Sequence, residues 1–174
     1  LHRYIRRQRQ MCIRDSIPFC HRRCFYCDFA VVPLGDKADA QGGPGSRSIE
    51  TYLGQLLREI ECSPSGPPLA TVYIGGGTPS LLTPEQVGRV LNALRARFGL
   101  QSGSEITLEM DPASFERMDL EALLRCGVNR VSLGGQSFDD QVLEALGRRH
   151  RRSDLLEACE WLHGAVENGA LRSW

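Results

Sequence analysis

Three cysteines within eight residues restrict this chain more than any other feature. Cys20, Cys24 and Cys27 follow the spacing C-x3-C-x2-C. Thiolates are soft ligands that suit iron–sulfur clusters and zinc. A cubane cluster contains four irons, so three cysteines would leave one iron open to a further ligand. The spacing therefore predicts a 4Fe–4S cluster at these three residues.

Zinc is the first alternative for these cysteines, with His21 or Cys12 as a fourth ligand. Structural zinc sites usually combine two separated pairs of ligands, and the sequence supplies no second pair. Three unligated core cysteines are the other alternative. Arg22 and Arg23 lie between the cysteines and fit a buried core poorly. A zinc-binding structural module thus stays open but less favoured than the cluster.

Composition bears on the compartment and on the partners. The chain has seven cysteines, no apolar run near the ~18 residues of a membrane span and no signal-peptide core. We expect a cytoplasmic protein whose cysteines serve a metal rather than disulfides. Twenty-one basic residues balance twenty-one acidic ones, which gives no reason to expect nucleic acid as a partner. A peripheral membrane contact stays open.

Strand-like and helical patterns alternate along the chain. Residues 70–74, 105–109 and 129–133 read as strands, and a poorly patterned strand precedes Cys20. Helical spacing separates them, and Thr83, Pro84 and Gln86 predict a capped helix start. Short connections between such elements predict an α/β fold with about four parallel strands. Four strands do not close a barrel, so we expect a fragment, with residues 166–174 leading towards a further strand.

Two segments lie outside this pattern. Residues 34–47 read as a polar, glycine-rich loop. Residues 1–16 lack the alternation of a strand, and residues 9–15 look like translated adapter sequence. We interpret residues 1–16 as an artefact or a disordered extension, and residues 17–174 as a partial core domain.

Further motifs accompany the cysteines at ordered intervals. They are Pro18-Phe19-Cys20, Cys27-Asp28-Phe29, Gly75-Gly76-Gly77-Thr78-Pro79-Ser80, Glu109-Met110-Asp111-Pro112, Gln136-Ser137-Phe138 and Gly147-Arg148-Arg149-His150. Together they resemble the radical S-adenosylmethionine superfamily, and within it the coproporphyrinogen dehydrogenase-related branch. The resemblance runs over residues 17–174. It implies the N-terminal part of an incomplete (β/α)6 barrel whose open cluster iron binds S-adenosylmethionine.

The resemblance also implies roles for individual residues. Gly76, Gly77 and Thr78 match the segment that binds the methionine amino group. Glu109 matches a position that contacts the methionine part of the cofactor, and Gln136 and Arg148 match positions that contact its polar groups. Tyr26 matches a position beside the cluster and the adenine. Taken without the resemblance, the glycines could form an ordinary turn and Arg148 could belong to a surface run of arginines. His150 is interpreted as structural.

A heme chaperone is the function that the resemblance favours. Such a protein binds heme and delivers it to a respiratory hemoprotein. The alternative is an oxygen-independent coproporphyrinogen III oxidase of porphyrin biosynthesis, which typically has a fourth cysteine two residues after the third. Phe29 occupies that position here. Whether S-adenosylmethionine is cleaved or only bound stays open.

The sequence departs from the family pattern at three positions. Arg14 and Ser16 stand where the family has a tyrosine and a histidine in its first strand. Gly135 stands where the family usually has valine. These departures put the first strand and one cofactor contact in question.

Overall fold

The computed structural model describes residues 11–35 and 44–174. The chain alternates strands and helices, as the sequence pattern predicts. The elements are β1 (Met11–Ile17), β2 (Phe19–Cys20), β3 (Val32–Pro33), α1 (Pro44–Cys62), β4 (Leu69–Gly76), a 3-10 turn (Pro79–Leu81), α2 (Pro84–Phe98), β5 (Leu100–Met110), α3 (Arg117–Cys126), β6 (Arg130–Leu133), α4 (Asp140–Ala145) and α5 (Arg152–Glu167).

Four of the strands form one parallel sheet in the order β1-β4-β5-β6. This confirms the predicted α/β class and the predicted number of parallel strands. The short strands β2 and β3 pair separately beside the cysteine segment. Because all four long strands run in one direction, their carboxyl ends lie along a single edge of the sheet, where ligand sites of such folds form.

The core lies between the sheet and the helices. Val72 and Ile74 of β4 and Ile106 and Leu108 of β5 are buried. The helical side chains that join them in one hydrophobic cluster share the predicted spacing, and they include Ile49, Leu53, Leu56 and Ile60 of α1 and Val87, Val90, Leu91, Leu94 and Phe98 of α2. Alternation along β4 and β5 places Tyr73 and Glu109 on the opposite face of the sheet.

Strand β1 begins earlier than the sequence suggests. It starts at Met11 and pairs in parallel with β4, with Ile13 opposite Val72 and Ile17 opposite Gly76. A parallel ladder joins backbone groups, so it can form where side chains do not alternate. The domain boundary at residue 17 and the foreign origin of residues 1–16 stay predictions, and residues 1–10 lie outside the described residues.

Two further differences concern chain segments. Helix α1 begins at Pro44, so the predicted loop over residues 34–47 is wrong for its last four residues, and residues 36–43 lie outside the described residues. At the other end, the Arg172 amide donates to the Asn129 carbonyl (2.9 Å), and Ser173 forms a parallel bridge with Arg130. The segment after α5 therefore reaches the edge of β6 itself, whereas the sequence predicted only that residues 166–174 lead towards a further strand. No helix in the described ranges is long and apolar enough to cross a membrane.

Candidate functional site

All ten residues assigned to the site from the sequence line one cavity of about 350 Å³. The cavity lies at the carboxyl ends of the strands. The ten are Cys20, Cys24, Tyr26, Cys27, Gly76, Gly77, Thr78, Glu109, Gln136 and Arg148. They come from segments more than a hundred residues apart, and the parallel topology brings them together.

The three cysteines lie on a short segment that leaves β2. Cys20 is the last residue of β2, and the Cys27 amide donates to the Cys24 carbonyl at 3.1 Å. The Thr78 hydroxyl donates to Cys20 Sγ at 3.3 Å. Burial raises the pKa of the Cys20 thiol, and the nearby Cys27 and Cys24 sulfurs raise it further. The Cys24 and Cys27 sulfurs thus lie close enough to Cys20 to affect its ionisation.

The glycine segment after β4 passes directly beneath the cysteine segment. The Gly77 amide donates to the Ile17 carbonyl (2.8 Å), and the Thr78 amide donates to the Phe19 carbonyl (2.7 Å). A Cβ atom added to Gly77 would lie 2.6 Å from the Phe19 carbonyl oxygen and 2.9 Å from Cys20 Sγ. Only glycine fits this approach, so Gly77 is more than an ordinary turn residue.

Glu109 is fixed at the end of β5 by the neighbouring strand. Its Oε1 accepts from the Tyr73 hydroxyl at 2.5 Å, and its Oε2 accepts from the Gly76 amide at 2.9 Å. Each carboxylate oxygen keeps a lone pair for a further donor. The carboxylate is therefore oriented and can still accept from an ammonium group in the cavity.

Arg148 follows α4 and carries a buried positive charge. Its Nη2 forms a short ion pair with Asp111 and donates to the Gly134 carbonyl at 2.7 Å. Its Nη1 lies 3.7 Å from Cys24 Sγ and 3.5 Å from the Tyr26 hydroxyl. Burial disfavours the charged form, but the Asp111 carboxylate together with Tyr26 and Cys24 outweighs this and raises the pKa of Arg148. The guanidinium stays charged beside the cysteines.

Gln136 and Tyr26 complete the lining of the cavity. Gln136 has a φ of 63°, which is the left-handed region, and no other non-glycine residue with an angle of this sign occurs in the described part of the chain. Such strain concentrates at functional sites. Tyr26 is 46% exposed. Partial burial raises the pKa of Tyr26, and Arg148 opposes that rise.

Asp111 and His150 belong to this site but were not assigned to it from the sequence. Asp111 is part of a quoted motif, and His150 was interpreted as structural. His150 is completely buried and touches Arg148 (Nδ1 to Nη2, 3.4 Å) and the Gly135 carbonyl (Nε2 to O, 2.9 Å). In the sequence, only their position inside the quoted motifs marks Asp111 and His150. Asp111 and Arg148 are 37 residues apart, so residue spacing does not predict their contact.

The donor chemistry of the cavity fits a 4Fe–4S cluster. Such clusters are held by thiolates, and hydrogen bonds to the sulfurs tune them. Three free cysteine sulfurs face the cavity, with the Thr78 hydroxyl on one sulfur and Arg148 near another. Within residues 11–35 and 44–174, no three His, Cys, Asp or Glu side chains surround a single-ion position.

Comparison with known proteins agrees with this geometry. Residues 16–172 match the Radical SAM superfamily. Over 143 residues the chain is 40% identical to the heme chaperone HemW of Synechocystis sp.. The matched region is 82% of this chain and 34% of that protein. It is 33% identical over 136 residues to the anaerobic coproporphyrinogen III oxidase 1 of Cereibacter sphaeroides, covering 76% of this chain and 28% of that protein.

A solved structure shares this fold over most of the chain. The coproporphyrinogen III oxidase HemN from Escherichia coli, a radical SAM enzyme, superposes with a TM-score of 0.75 and 28% sequence identity. The match covers 94% of this chain and 35% of the oxidase. The chain thus spans about a third of the length of the curated relatives it matches.

Proposed function

This chain belongs to the radical SAM superfamily, and from that premise we propose that it is part of a heme chaperone of the HemW type. In this proposal the cavity holds a 4Fe–4S cluster and S-adenosylmethionine, and the whole protein delivers heme to a respiratory hemoprotein. The similarity to HemW at 40% identity supports this assignment.

One observation carries the cofactor part of the proposal. Residues chosen from six separate motifs line a single cavity at the carboxyl ends of the strands. In this assignment Cys20, Cys24 and Cys27 hold the cluster. When bound, such a cluster supplies one-electron reduction of S-adenosylmethionine.

The remaining residues would bind and orient S-adenosylmethionine. Glu109 accepts from its ammonium group, and the backbone at Gly76 and Gly77 allows the ligand to approach closely. Arg148 offers a charged donor to a carboxylate. Gln136 and Tyr26 contact the polar and adenine portions. These roles follow the family pattern and agree with the position of each side chain in the cavity.

The heme-related part rests on resemblance. Among the histidines, His150 is engaged by Arg148 and Gly135, and His163 is an exposed residue of α5 near Glu167. Neither arrangement resembles an axial heme site. Location in the cytoplasm stays a prediction from the sequence.

A coproporphyrinogen III oxidase is the second candidate, because the oxidases of Cereibacter sphaeroides and Escherichia coli also match. The residue that separates the two candidates is Phe29, which stands where such oxidases have a fourth cysteine. Phe29 is 60% exposed and offers no ligand. This favours the chaperone.

Anaerobic reconstitution with iron and sulfide tests the cofactor site. We expect about four irons per chain, since one cubane contains four. Cys20→Ala, Cys24→Ala and Cys27→Ala should each abolish cluster formation. Cys126→Ala, a half-buried free cysteine outside the cavity, is the control and should leave the iron content unchanged. Stoichiometric zinc without iron uptake would establish the zinc module instead.

Two assays on the reconstituted protein separate the chaperone from the oxidase. We expect hemin to stay bound through desalting, as followed by absorption. We also expect no carbon dioxide release from coproporphyrinogen III in the presence of S-adenosylmethionine and a reductant. Decarboxylation without hemin retention would favour the oxidase.

A further inference from the structure

Arg148 is held by two groups that the proposed function does not use. Asp111 pairs with its Nη2, and His150 Nδ1 lies 3.4 Å from the same nitrogen. The side chains of Arg148 and Asp111 are 11% and 19% exposed, and His150 is fully buried. A charge buried to this degree needs its partners to remain in place.

The hydrogen bonds of His150 define its tautomer. Its Nε2 lies 2.9 Å from the Gly135 carbonyl oxygen, which can only accept. Nε2 therefore carries the proton, and in the neutral ring Nδ1 becomes an acceptor. Arg148 Nη2 is the donor that Nδ1 faces. Burial, with a smaller contribution from Arg148, lowers the pKa of His150, which is consistent with a neutral ring.

Asp111 is itself fixed in place. Its Oδ1 accepts from the Ala113 amide at 3.1 Å, and its own amide donates to the Ser80 hydroxyl at 3.0 Å. Oδ2 is thereby presented to Arg148. Arg148 Nη2 thus faces a fixed carboxylate, the Gly134 carbonyl at 2.7 Å and, at the longer distance of 3.4 Å, a fixed imidazole.

The other end of the guanidinium points at the cysteines. Arg148 Nη1 lies 3.7 Å from Cys24 Sγ, and Arg148 Nε is buried without a hydrogen-bond partner among the described residues. The hydrogen bonds at Nη2 are therefore the main contacts that keep Nη1 beside the sulfur. We propose that Asp111 and His150 are positioning residues that hold the Arg148 guanidinium against Cys24 Sγ.

The inference rests on the proposed cluster site and gives that site a definite electrostatic setting. A cationic donor at a ligand sulfur stabilises the reduced, more negative cluster and raises its reduction potential. With Nε2 donating to the Gly135 carbonyl and Nδ1 accepting from Arg148, His150 adds no charge of its own, so in this proposal its replacement acts on the potential through the position of Arg148. His150 is therefore a more direct test of the positioning role than Asp111, whose replacement also removes a charge.

The two nitrogens of His150 can be tested separately. The amide of asparagine can place an oxygen where Nδ1 stands, and that of glutamine can place a nitrogen where Nε2 stands. If His150 positions Arg148, His150→Gln lowers the midpoint potential of the reconstituted cluster, and His150→Asn lowers it less. We also expect His150→Gln to weaken S-adenosylmethionine binding by about 10-fold, by analogy with the loss of metal affinity or activity when an outer partner of a metal site is removed. If His150→Gln preserved the midpoint potential and His150→Asn lowered it, the inference would be overturned, because His150 would then act only through Gly135.

Asp111→Asn gives a second, independent variant. It removes the charge that pairs with Arg148 and should also weaken S-adenosylmethionine binding. The matched controls are His163→Gln, an exposed histidine, and Glu121→Gln, which breaks the exposed Arg117–Glu121 pair. Both controls should leave the potential and the binding unchanged. Unchanged binding in Asp111→Asn would remove Asp111 from the inference.

A measurement without the cluster separates this inference from the proposed function. Long-range 1H–15N NMR of the histidine-labelled chain should show His150 as the Nε2–H tautomer. Its Nδ1 resonance should move in Arg148→Met. An Nδ1–H tautomer, or a resonance indifferent to Arg148, would overturn the positioning role even if the cluster forms. Failure of the chain to bind iron, with the expected NMR result, would instead count against the proposed function alone.

Discussion

At Gly135, the backbone passes directly beneath the side chain of Leu155. A Cβ atom added to Gly135 would lie 3.0 Å from Leu155 Cδ1 and 3.2 Å from Cδ2. Leu155 thus occupies the space that a side chain at position 135 would need.

We expect Gly135→Val to destabilise the chain by about 1–3 kcal/mol, the usual cost of overpacking a filled site. The measurement is the free energy of unfolding in urea. On a Leu155→Ala background the same exchange should cost less, because the clashing methyl groups are gone. A double-mutant cycle isolates this coupling.

Gly164→Val is the matched control. Gly164 lies on α5, as Leu155 does, and a Cβ there meets nothing within 4 Å. We expect no loss of stability in the control. Equal effects of Gly135→Val on both backgrounds would show that Leu155 does not limit the space at position 135.

Local spacing indicated the three cysteines, and the family resemblance added the glycines. Cys20, Cys24 and Cys27 lie on one short segment, and Gly77 belongs to a triplet that ends a strand. The partners of Arg148 were not predictable in this way. Asp111 contacts Arg148 across 37 residues of chain, and His150 acquires its role only through burial. Such contacts depend on packing, which residue spacing does not encode.

Helix α2 shows the most complete agreement between local sequence and structure. Thr83 Oγ1 accepts from the Gln86 amide at 3.2 Å, and Gln86 Oε1 accepts from the Thr83 amide at 2.9 Å. Pro84 occupies the first helical position, where its missing N–H costs nothing. Because α2 connects β4 to β5, the start of α2 also fixes the direction in which the chain leaves the cavity.

Thr83→Ala should destabilise the chain by about 0.5–2 kcal/mol, the usual cost of losing a helix N-cap. Thr51→Ala is the matched control, since Thr51 is an exposed residue inside α1 whose hydroxyl bonds to the Arg47 carbonyl. We expect the control to change stability by no more than about 0.5 kcal/mol. Chemical denaturation of both variants measures the difference. Equal losses in the two variants would show that the capping box contributes nothing specific.

Strand β1 was the element that the sequence described least well. Its pairing with β4 runs over the whole strand, from Met11 opposite Leu69 to Ile17 opposite Gly76. Prediction from sequence relies on alternating side chains, and a parallel ladder is built from backbone groups. The helices, by contrast, carry a buried stripe at regular spacing and were predicted from it.

At the scale of the whole molecule, the sheet has β1 at one end and β6 at the other. The outer edge of β6 is met by the segment after α5. The Val131 amide donates to the Ser173 carbonyl at 3.2 Å, and the Leu171 side chain is 3% exposed. A parallel strand with an unpaired edge is a liability, and this short segment covers part of the edge of β6.

Removing residues 171–174 should therefore destabilise the whole chain. The change loses one fully buried leucine and two backbone hydrogen bonds to the β6 region, those of Arg172 with Asn129 and of Val131 with Ser173. We expect a loss of roughly 3 kcal/mol, which corresponds to a fall in Tm of on the order of 10 °C for a chain of this size. Deleting only Trp174, which is 47% exposed, is the control and should change Tm little. Thermal unfolding followed by circular dichroism measures both. If the shorter chain melts at the same temperature as the full chain, the segment after α5 does not stabilise the edge of β6, and the sheet is held by its helices alone.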